Sequence, residues 1–297
     1  MRLALIFNVL NCVSNKLRRE LGSWGKMSFY LSIPSDSSHE FFPNNKISSY
    51  TTKLAREIEL YDDYEIGLSS IHFPLTYFNV QKNELRVFKV DKSVTLVSAD
   101  NNIISSTEII KDHLKSFYTI PEGRYNSETM VQEMFKKLPK KCFSVSVSKF
   151  NRRVTLKIEK ENIAINEPLF QFFGGLFEPE PEFIADAYVF RKGVTYYGLN
   201  VIDYQRACHN IYIYCDLVSP RIVGHTQVSL LGTVANPVSG SFGETIVERF
   251  NPIRYFKLGK NRFDTIKIDL VSDTGTHIPF EGGKVFIEIH LRKFKRV

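Results

Sequence analysis

The chain has 297 residues, which is enough for one large all-β domain or two smaller domains. A hydrophobic fraction of 43% and a charged fraction of 24% are those of a folded protein, so disorder over most of the chain is excluded. The formal net charge is +7, and the four cysteines form no CxxC pair. Their spacing predicts neither a zinc site nor a disulfide framework, and a reducing compartment is the simpler inference.

Residues 1–26 differ in pattern from the rest of the chain. The opening MRLALIFNVL is similar to a short signal h-region, but Asn8 interrupts it and no A-x-A cleavage site follows. From Met27 onward the sequence MSFYLSIPS alternates at once, as a strand does. We therefore interpret 27–297 as the functional domain and 1–26 as a basic extension of unknown purpose.

Short apolar runs separated by turn signals follow from residue 28 and predict strands. Those before residue 100 are SFYLSI, KISSYTTKL, YEIGLSSIHF and VTLVS. Those after residue 195 are NIYIYCDLV, TQVSLLGTV, TIVERF, DTIKIDLV and KVFIEIHLRK. Nine candidate strands on two flanks of the chain predict an all-β sandwich or jelly roll rather than a βαβ fold.

Alternation with period two in the last two runs predicts half-buried strands. The predicted buried faces comprise Ile266, Ile268, Leu270, Val285, Ile287, Ile289 and Leu291. His290 falls on the opposite face, between Glu288 and Arg292. We therefore predict His290 to be a solvent-facing residue rather than a ligand.

Residues 103–176 are predicted to form a compact α/β insertion between the two flanks. Ser105 and Glu108 have capping-box spacing and predict a helix through Leu114 and Phe117, and a second helix is predicted before Pro139. The runs CFSVSVS and RRVTLKI then predict a hairpin with its turn at KFNR.

No motif of a catalytic or cofactor site is present. GxSxG, HExxH, GxxxxGK[ST] and GxGxxG do not occur, and the seven histidines never stand at i, i+2 or i, i+4 spacing. Gly174 and Gly175 predict a tight turn. We predict no catalytic residue, no metal site and no cofactor, and the chain is not interpreted as an enzyme, although a metal site assembled from distant loops stays open.

The stretch NIYIYCDLVSPRIVGHTQVSLLGTV places Cys215, Asp216 and His225 within eleven positions. A cysteine hydrolase using Cys215 and His225 is one interpretation of it. The alternation disfavours this, because Cys215 and Asp216 point to opposite faces of one strand. We predict a strand, a turn at Ser219 and Pro220, and a second strand, with Cys215 buried as a small hydrophobic residue.

The chain ends in a short basic run. Its members are Arg292, Lys293, Lys295 and Arg296. They are candidates for contact with nucleic acid through counterion release, and a solvated tail is the alternative.

Several spaced segments carry a family resemblance that spans nearly all of residues 28–293. They include FYLSIPSDSSHEFFPNNKISSYTTKLAREIELYDDYEIGLSSIHFP, IPEGRYNSETMVQEMF, RRVTLKI, RFNPIRYFKL and FDTIKIDLVSDTGTHIPFEGGKVFIEIHLRK. The positions that carry it are Phe42, Pro43, Asn44, Glu65 to Leu68 with Gly67, Pro74, Gly123, Tyr125, Asp216, Gly224, Pro252, Asp273 to Gly275, Phe280 and Gly283. In these segments the chain resembles the penton, or minor capsid, proteins of Polinton (Maverick) virus-like transposons and adintoviruses.

The resemblance implies a single jelly roll of eight to nine antiparallel strands. It also implies a homopentamer at the fivefold vertices of a capsid, with the major capsid protein as second partner and the virion as final location after intracellular assembly. Packaged DNA is a further candidate partner through the basic termini, and no membrane partner is expected. Tyr212 and Tyr214 would suit an interface. A carbohydrate- or receptor-binding jelly-roll module is the alternative function.

Overall fold

The computed structural model describes residues 28–90, 114–125, 131, 132, 136, 143–184, 186–206, 208–237 and 240–294. They form two compact units. The first, called the jelly-roll unit, comprises the described residues up to 76, 209–236 and 243–294. The second, called the inserted unit, comprises those of 77–208 and 237–242. Within these ranges no helix is long and apolar enough to cross a membrane.

The chain starts in the jelly-roll unit with β1 (Phe29–Pro34), β2 (Ser49–Glu59) and β3 (Tyr64–Pro74). The inserted unit contributes β4 (Arg86–Val90), β5 (Leu114–Thr119), β6 (Phe143–Val147), β7 (Val154–Ile158), β8 (Ile163–Asn166), α1 (Glu167–Phe172), β9 (Phe177–Glu178), β10 (Glu182–Ile184), β11 (Ala187–Phe190) and β12 (Thr195–Gly198). The jelly-roll unit then resumes with β13 (Asn210–Cys215), β14 (Arg221–Val223), β15 (Thr226–Val228), β16 (Leu230–Ala235), β17 (Thr245–Arg249), β18 (Tyr255–Lys257), β19 (Arg262–Val271) and β20 (Phe286–Lys293).

The strand order identifies the fold of the first unit. One sheet has the order β1-β20-β3-β17, with β18 also paired to β3, and the other has the order β16-β13-β19-β2. Every pairing in them is antiparallel. The chain changes sheet at every connection between these nine strands except those from β13 to β16 and from β17 to β18. This is the two-Greek-key path of a jelly roll, so the predicted all-β, jelly-roll fold class is confirmed.

The core of the jelly-roll unit lies between its two sheets and follows the predicted alternation. The side chains of Ile266, Ile268, Leu270, Val285, Ile287, Ile289 and Leu291 are fully buried. A bulge between Glu288 and Ile289 shifts the register of β20 against β3, yet the apolar residues stay on the inner face. Tyr50 is also buried, and its hydroxyl donates to the carbonyl oxygen of Ile33 at 3.2 Å.

The inserted unit is a second β-structure with its own core. Its sheets have the orders β10-β11-β8-β4-β5 and β6-β7-β12-β9, which differ from those of a jelly roll. The predicted hairpin is confirmed as β6 and β7, which pair from Phe143 with Ile158 to Val147 with Val154 around the KFNR turn. Phe172, Phe173 and Phe190 are among its fully buried side chains.

The insertion is wider and richer in strands than predicted. The sequence predicts an α/β element at about 103–176. The inserted unit instead runs over 77–208, with a short return at 237–242. Leu114 and Phe117, assigned to the first predicted helix, lie in β5, where pairing with β4 outweighs a spacing that also fits a helix. Val131 and Gln132 are helical, as the second predicted helix requires. The remainder of both predicted helices, the predicted strand at 94–98 and the extension 1–26 lie largely outside the described residues.

Gly67 lies where the chain leading into β18 packs tightly against the first sheet. It lies in β3, opposite His290 of β20 on one side and Tyr255 of β18 on the other. A Cβ atom at this position would stand 2.5 Å from Cγ2 of Ile253 and 2.8 Å from the carbonyl oxygen of Arg254. Only a residue without a side chain therefore allows β18 to reach β3.

We expect Gly67→Ala to lower the free energy of unfolding by about 1–3 kcal/mol, because the added methyl group must displace the backbone that leads into β18. Urea titration followed by circular dichroism measures the change. Gly282→Ala is the matched control, since a Cβ there would meet nothing within 4 Å, and its effect should stay within about 0.5 kcal/mol. Equal effects at the two positions would contradict this account of Gly67.

Candidate functional site

Cys215 lies at the end of β13 on the inner face of the sheet, as predicted. Its side chain is 1% exposed and is buried together with Ile211 and Ile213. Burial raises the pKa of the Cys215 thiol to about 12. The thiol is therefore protonated at neutral pH and lacks the thiolate character of a catalytic nucleophile.

Asp216 and His225 do not complete a catalytic group with Cys215. The Asp216 carboxylate accepts hydrogen bonds from the amide of Lys267 at 2.8 Å and from Nζ of Lys260 at 2.6 Å, so it links two connections at one end of the unit. His225 is exposed in the turn of a hairpin. An enclosed thiol and an exposed imidazole cannot exchange a proton directly, and the triad hypothesis finds no support here.

The predicted strand through 226–234 is divided in two. β15 pairs with β14 in a separate hairpin around Gly224 and His225, and β16 begins only at Leu230. Gly224 has a φ of 60°, which suits the first position of a two-residue hairpin turn. A second turn therefore lies at Gly224, which is one of the resemblance positions.

We expect the Cys215 thiol to react with Ellman's reagent only when the protein unfolds. A pKa of about 12 leaves roughly a thousandfold less thiolate at pH 8 than an ordinary cysteine has. Thiol titration in buffer and then in denaturant measures the slow class, from which Cys215→Ala should remove one thiol. Cys208→Ala is the control, since Cys208 is only half-buried. Rapid loss of a thiol that depends on Cys215 in the native protein would contradict the assignment.

Most of the resemblance positions lie in turns or at strand ends. Pro43 and Asn44 lie between β1 and β2, Pro74 ends β3, Pro252 lies between β17 and β18, and Gly275 and Gly283 lie between β19 and β20. In the inserted unit, Gly123 pairs with Val80, and the buried Tyr125 donates its hydroxyl to the carbonyl oxygen of Pro121 at 2.8 Å. These positions shape connections and hold no reactive group.

Asp273 connects the turn between β19 and β20 to the start of β13. Its carboxylate accepts hydrogen bonds from the amides of His209 and Asn210, the latter at 3.0 Å. Burial alone would raise the pKa of Asp273, but the hydrogen bonds from Asn210 and His209 outweigh burial and lower that pKa. The ionised carboxylate thus stabilises the point at which the chain re-enters the jelly-roll unit.

We expect Asp273→Asn to cost about 1–3 kcal/mol at pH 7. Because the folded pKa is lowered, the contribution of the carboxylate is complete above the unfolded pKa of roughly 4 and is lost as pH falls through the folded value. The difference in unfolding temperature between wild type and variant should therefore narrow as pH falls below about 4. Asp36→Asn, at an exposed carboxylate between β1 and β2, should change little at either pH. A gap that persists unchanged at low pH would contradict the role of the charge.

The prediction that His290 faces solvent is wrong. His290 is 8% exposed, its ring stacks on Tyr30 with centroids 4.3 Å apart, and its Nδ1 lies 2.6 Å from the hydroxyl of Tyr255. Burial, followed by the charge of Arg292, lowers the pKa of His290. The alternation assigned the outer face correctly, but aromatic residues on neighbouring strands cover that face.

The C-terminal basic residues that the structure describes are engaged within the chain. Arg292 donates from Nε to Glu65 at 2.9 Å and places Cζ 3.5 Å from the ring centroid of Tyr255. Lys293 forms an ion pair with Asp62 at 2.7 Å. Lys295 and Arg296 lie outside the described residues, so contact with nucleic acid stays a prediction.

Tyr212 and Tyr214 are half-buried rather than freely exposed. The most exposed apolar side chains of the jelly-roll unit are instead Tyr61 and Ile222, each 81% exposed. They lie in the connections from β2 to β3 and from β13 to β16, and the amide of the partly exposed Phe294 donates to the carbonyl oxygen of Asp63 in the first of these connections. We name Tyr61, Ile222 and Phe294 the apolar end residues.

In the inserted unit, Phe150 is fully exposed at the tip of the hairpin of β6 and β7. The described residues contain no group of three or more His, Cys, Asp or Glu side chains that could hold a metal ion.

Comparison with known proteins gives a distant likeness. No protein-family model and no curated protein matches the chain. A solved structure, the crystal structure of SeMet-labeled mavirus penton protein, aligns with 91% of this chain and 100% of that chain. The sequence identity is 10% and the TM-score is 0.47. Function is therefore argued from the chain's own residues.

Proposed function

We propose that this chain is a structural minor capsid protein that forms the pentameric vertices of an icosahedral virus-like particle. The observation that carries the proposal is the strand order of the jelly-roll unit, β1-β20-β3-β17 facing β16-β13-β19-β2. Viral capsid domains use this architecture, as do lectins and cupins. The resemblance of the sequence segments to penton proteins favours the capsid use over the other two.

A single jelly roll favours a vertex protein over the main shell subunit. The inserted unit has other strand orders, so among the described residues only one jelly-roll strand set is present. A double-jelly-roll subunit would need two such sets. The chain then supplies one wall of a ring, and the major capsid protein surrounds that ring as the second partner.

Closing a five-membered ring requires two different surfaces on each copy, which meet head to tail. The connections of the jelly-roll unit emerge at two ends, and the apolar end residues lie at the end formed by the connections from β2 to β3 and from β13 to β16. Exposed tyrosine and isoleucine suit the desolvated centre of an interface. Packaged DNA is a further proposed partner through the basic termini, and such binding would weaken as salt rises.

We expect the purified chain to form pentamers of its 34.3 kDa subunit, visible as fivefold rings by negative-stain microscopy and measurable by light scattering after gel filtration. Co-expression with the major capsid protein should place the chain in particles. The double variant Tyr61→Ser, Ile222→Ser should dissociate at concentrations about tenfold higher than wild type, because each truncation removes buried apolar contact.

Phe150→Ser is the matched control, since it removes an equally exposed apolar side chain from the inserted unit. A wild-type chain that stays monomeric and never enters particles would overturn the proposal. If that monomer bound on a glycan array, a carbohydrate- or receptor-binding module would replace it.

A further inference from the structure

The jelly-roll unit has a cavity of about 360 Å³ at its open edge. It lies where β16, the last strand of one sheet, faces the chain from β17 to β18, the last strands of the other, under the hairpin of β14 and β15. Its lining includes Leu68, Arg221, Leu231, Phe250, Arg254 and Phe256. This volume holds one or two side chains of a ligand and is at the lower end of ordinary binding pockets. We name it the edge pocket.

Two arginines flank one aromatic ring in the edge pocket. Cζ of Arg221 lies 4.0 Å from the ring centroid of Phe256, and Cζ of Arg254 lies 5.5 Å from the same centroid. The Nε of Arg221 donates to the carbonyl oxygen of Leu230 at 3.2 Å, which orients its guanidinium group. Stacking and this hydrogen bond position the charge before any ligand arrives.

The charge of this pair is not offset within the part of the chain that the structure describes. No ion pair to a carboxylate joins Arg221 or Arg254 there, although other arginines of the same unit are paired. Arg262 contacts Glu57 through two hydrogen bonds of 2.8 Å, and Arg292 contacts Glu65. Burial, followed by the charge of Arg254, also lowers the pKa of Arg221. Two guanidinium groups that contact the same ring, with no described carboxylate to neutralise them, leave positive charge that an anionic group can pair with.

The backbone of β16, beside the pocket, has one unpaired side. β16 pairs with β13 on one side only, and no described strand pairs with its other side. Its outer amide and carbonyl groups therefore remain available for an added strand, although Arg221 engages one carbonyl. An extended peptide matches this edge through main-chain hydrogen bonds, whereas a nucleic acid has no such repeating donors and acceptors.

We propose that the edge pocket binds an extended peptide segment of a protein partner. The segment adds to β16 as a strand, places a carboxylate between Arg221 and Arg254, and lays an apolar side chain against Leu68 and Phe256. The carboxylate comes from an Asp or Glu side chain or from a C-terminus. Ile222 belongs both to the lining of the edge pocket and to the apolar end residues, but the inference concerns recognition by the single subunit, and its test variants leave Ile222 unchanged.

The test uses phage-displayed random peptides selected on the full-length protein, in one format with a free C-terminus and in one with internal display. The Arg221→Gln, Arg254→Gln variant serves for counter-selection, and Arg249→Gln, an exposed arginine of β17 outside the pocket, serves as the control. We expect sequences that share an acidic residue or a terminal carboxylate flanked by apolar residues. The format that enriches them identifies the source of the carboxylate.

Binding of a synthetic peptide with the enriched sequence is then measured by fluorescence anisotropy. The double variant, and Arg254→Gln alone as a milder change at an exposed side chain, should weaken binding about tenfold or more, with melting temperatures recorded to show that the fold is intact. N-methylation of alternate peptide amides should abolish binding if the peptide adds as a strand.

Selection that yields no acidic or C-terminal consensus would overturn the proposal, and so would equal binding by the double variant or an equal loss in Arg249→Gln. Displacement of the peptide by mixed-sequence single-stranded DNA at lower concentration would assign the pocket to nucleic acid instead.

Discussion

The structure depends on the position of its last strand. β20 lies between β1 and β3, so Ile289 of the final strand pairs with Leu31 of the first and with Leu68 of the third. The two sheets then enclose a core whose inner-face residues come from both termini of the unit. Pairing between strands so far apart in the chain forms slowly. Local elements, such as the hairpin of β6 and β7, form faster and lie within their own unit.

The same strand determines the outer surface of its sheet. Tyr30, His290, Gly67 and Tyr255 stand at successive register positions across β1, β20, β3 and β18. The missing side chain of Gly67 admits the backbone leading into β18, and Tyr255 then reaches His290 and Arg292. Alternation alone predicts that this row of residues faces solvent, but aromatic rings cover it at His290. A glycine at one position thus affects the exposure of a histidine on the neighbouring strand.

Features that depend on local pattern could be predicted from the sequence. The alternation of β19 and β20 assigned their buried faces correctly, and the same rule placed Cys215 inward and excluded the triad. The errors occurred where pairing partners decide the outcome. β5 carries a helix-compatible spacing but pairs with β4, and the exposure of His290 depends on rings from two other strands. The edge pocket was not predicted, because Arg221, Arg254 and Phe256 come together only when the β14 and β15 hairpin folds over the sheet edge. The one local sequence signal for this pocket was an arginine next to aromatic residues, as in RYF at 254–256.

The outer strand edges of the jelly-roll unit differ in how they are protected. A sandwich leaves four outer strand edges, and natural proteins usually protect them with charge, proline or a covering segment. Along β2, Lys53 and Glu57 form ion pairs with Asp264 and Arg262 of β19, so the charges of that edge are already neutralised. β16 instead has small and apolar residues, LLGTVA, beside two arginines that no described carboxylate neutralises. The charge of Arg221 and Arg254 lies beside unpaired backbone and is neutralised by no described carboxylate. A partner that supplies both a strand and an anion would pair with this backbone and neutralise this charge. We therefore assign peptide recognition to the edge of β16 and ring closure to the apolar end residues.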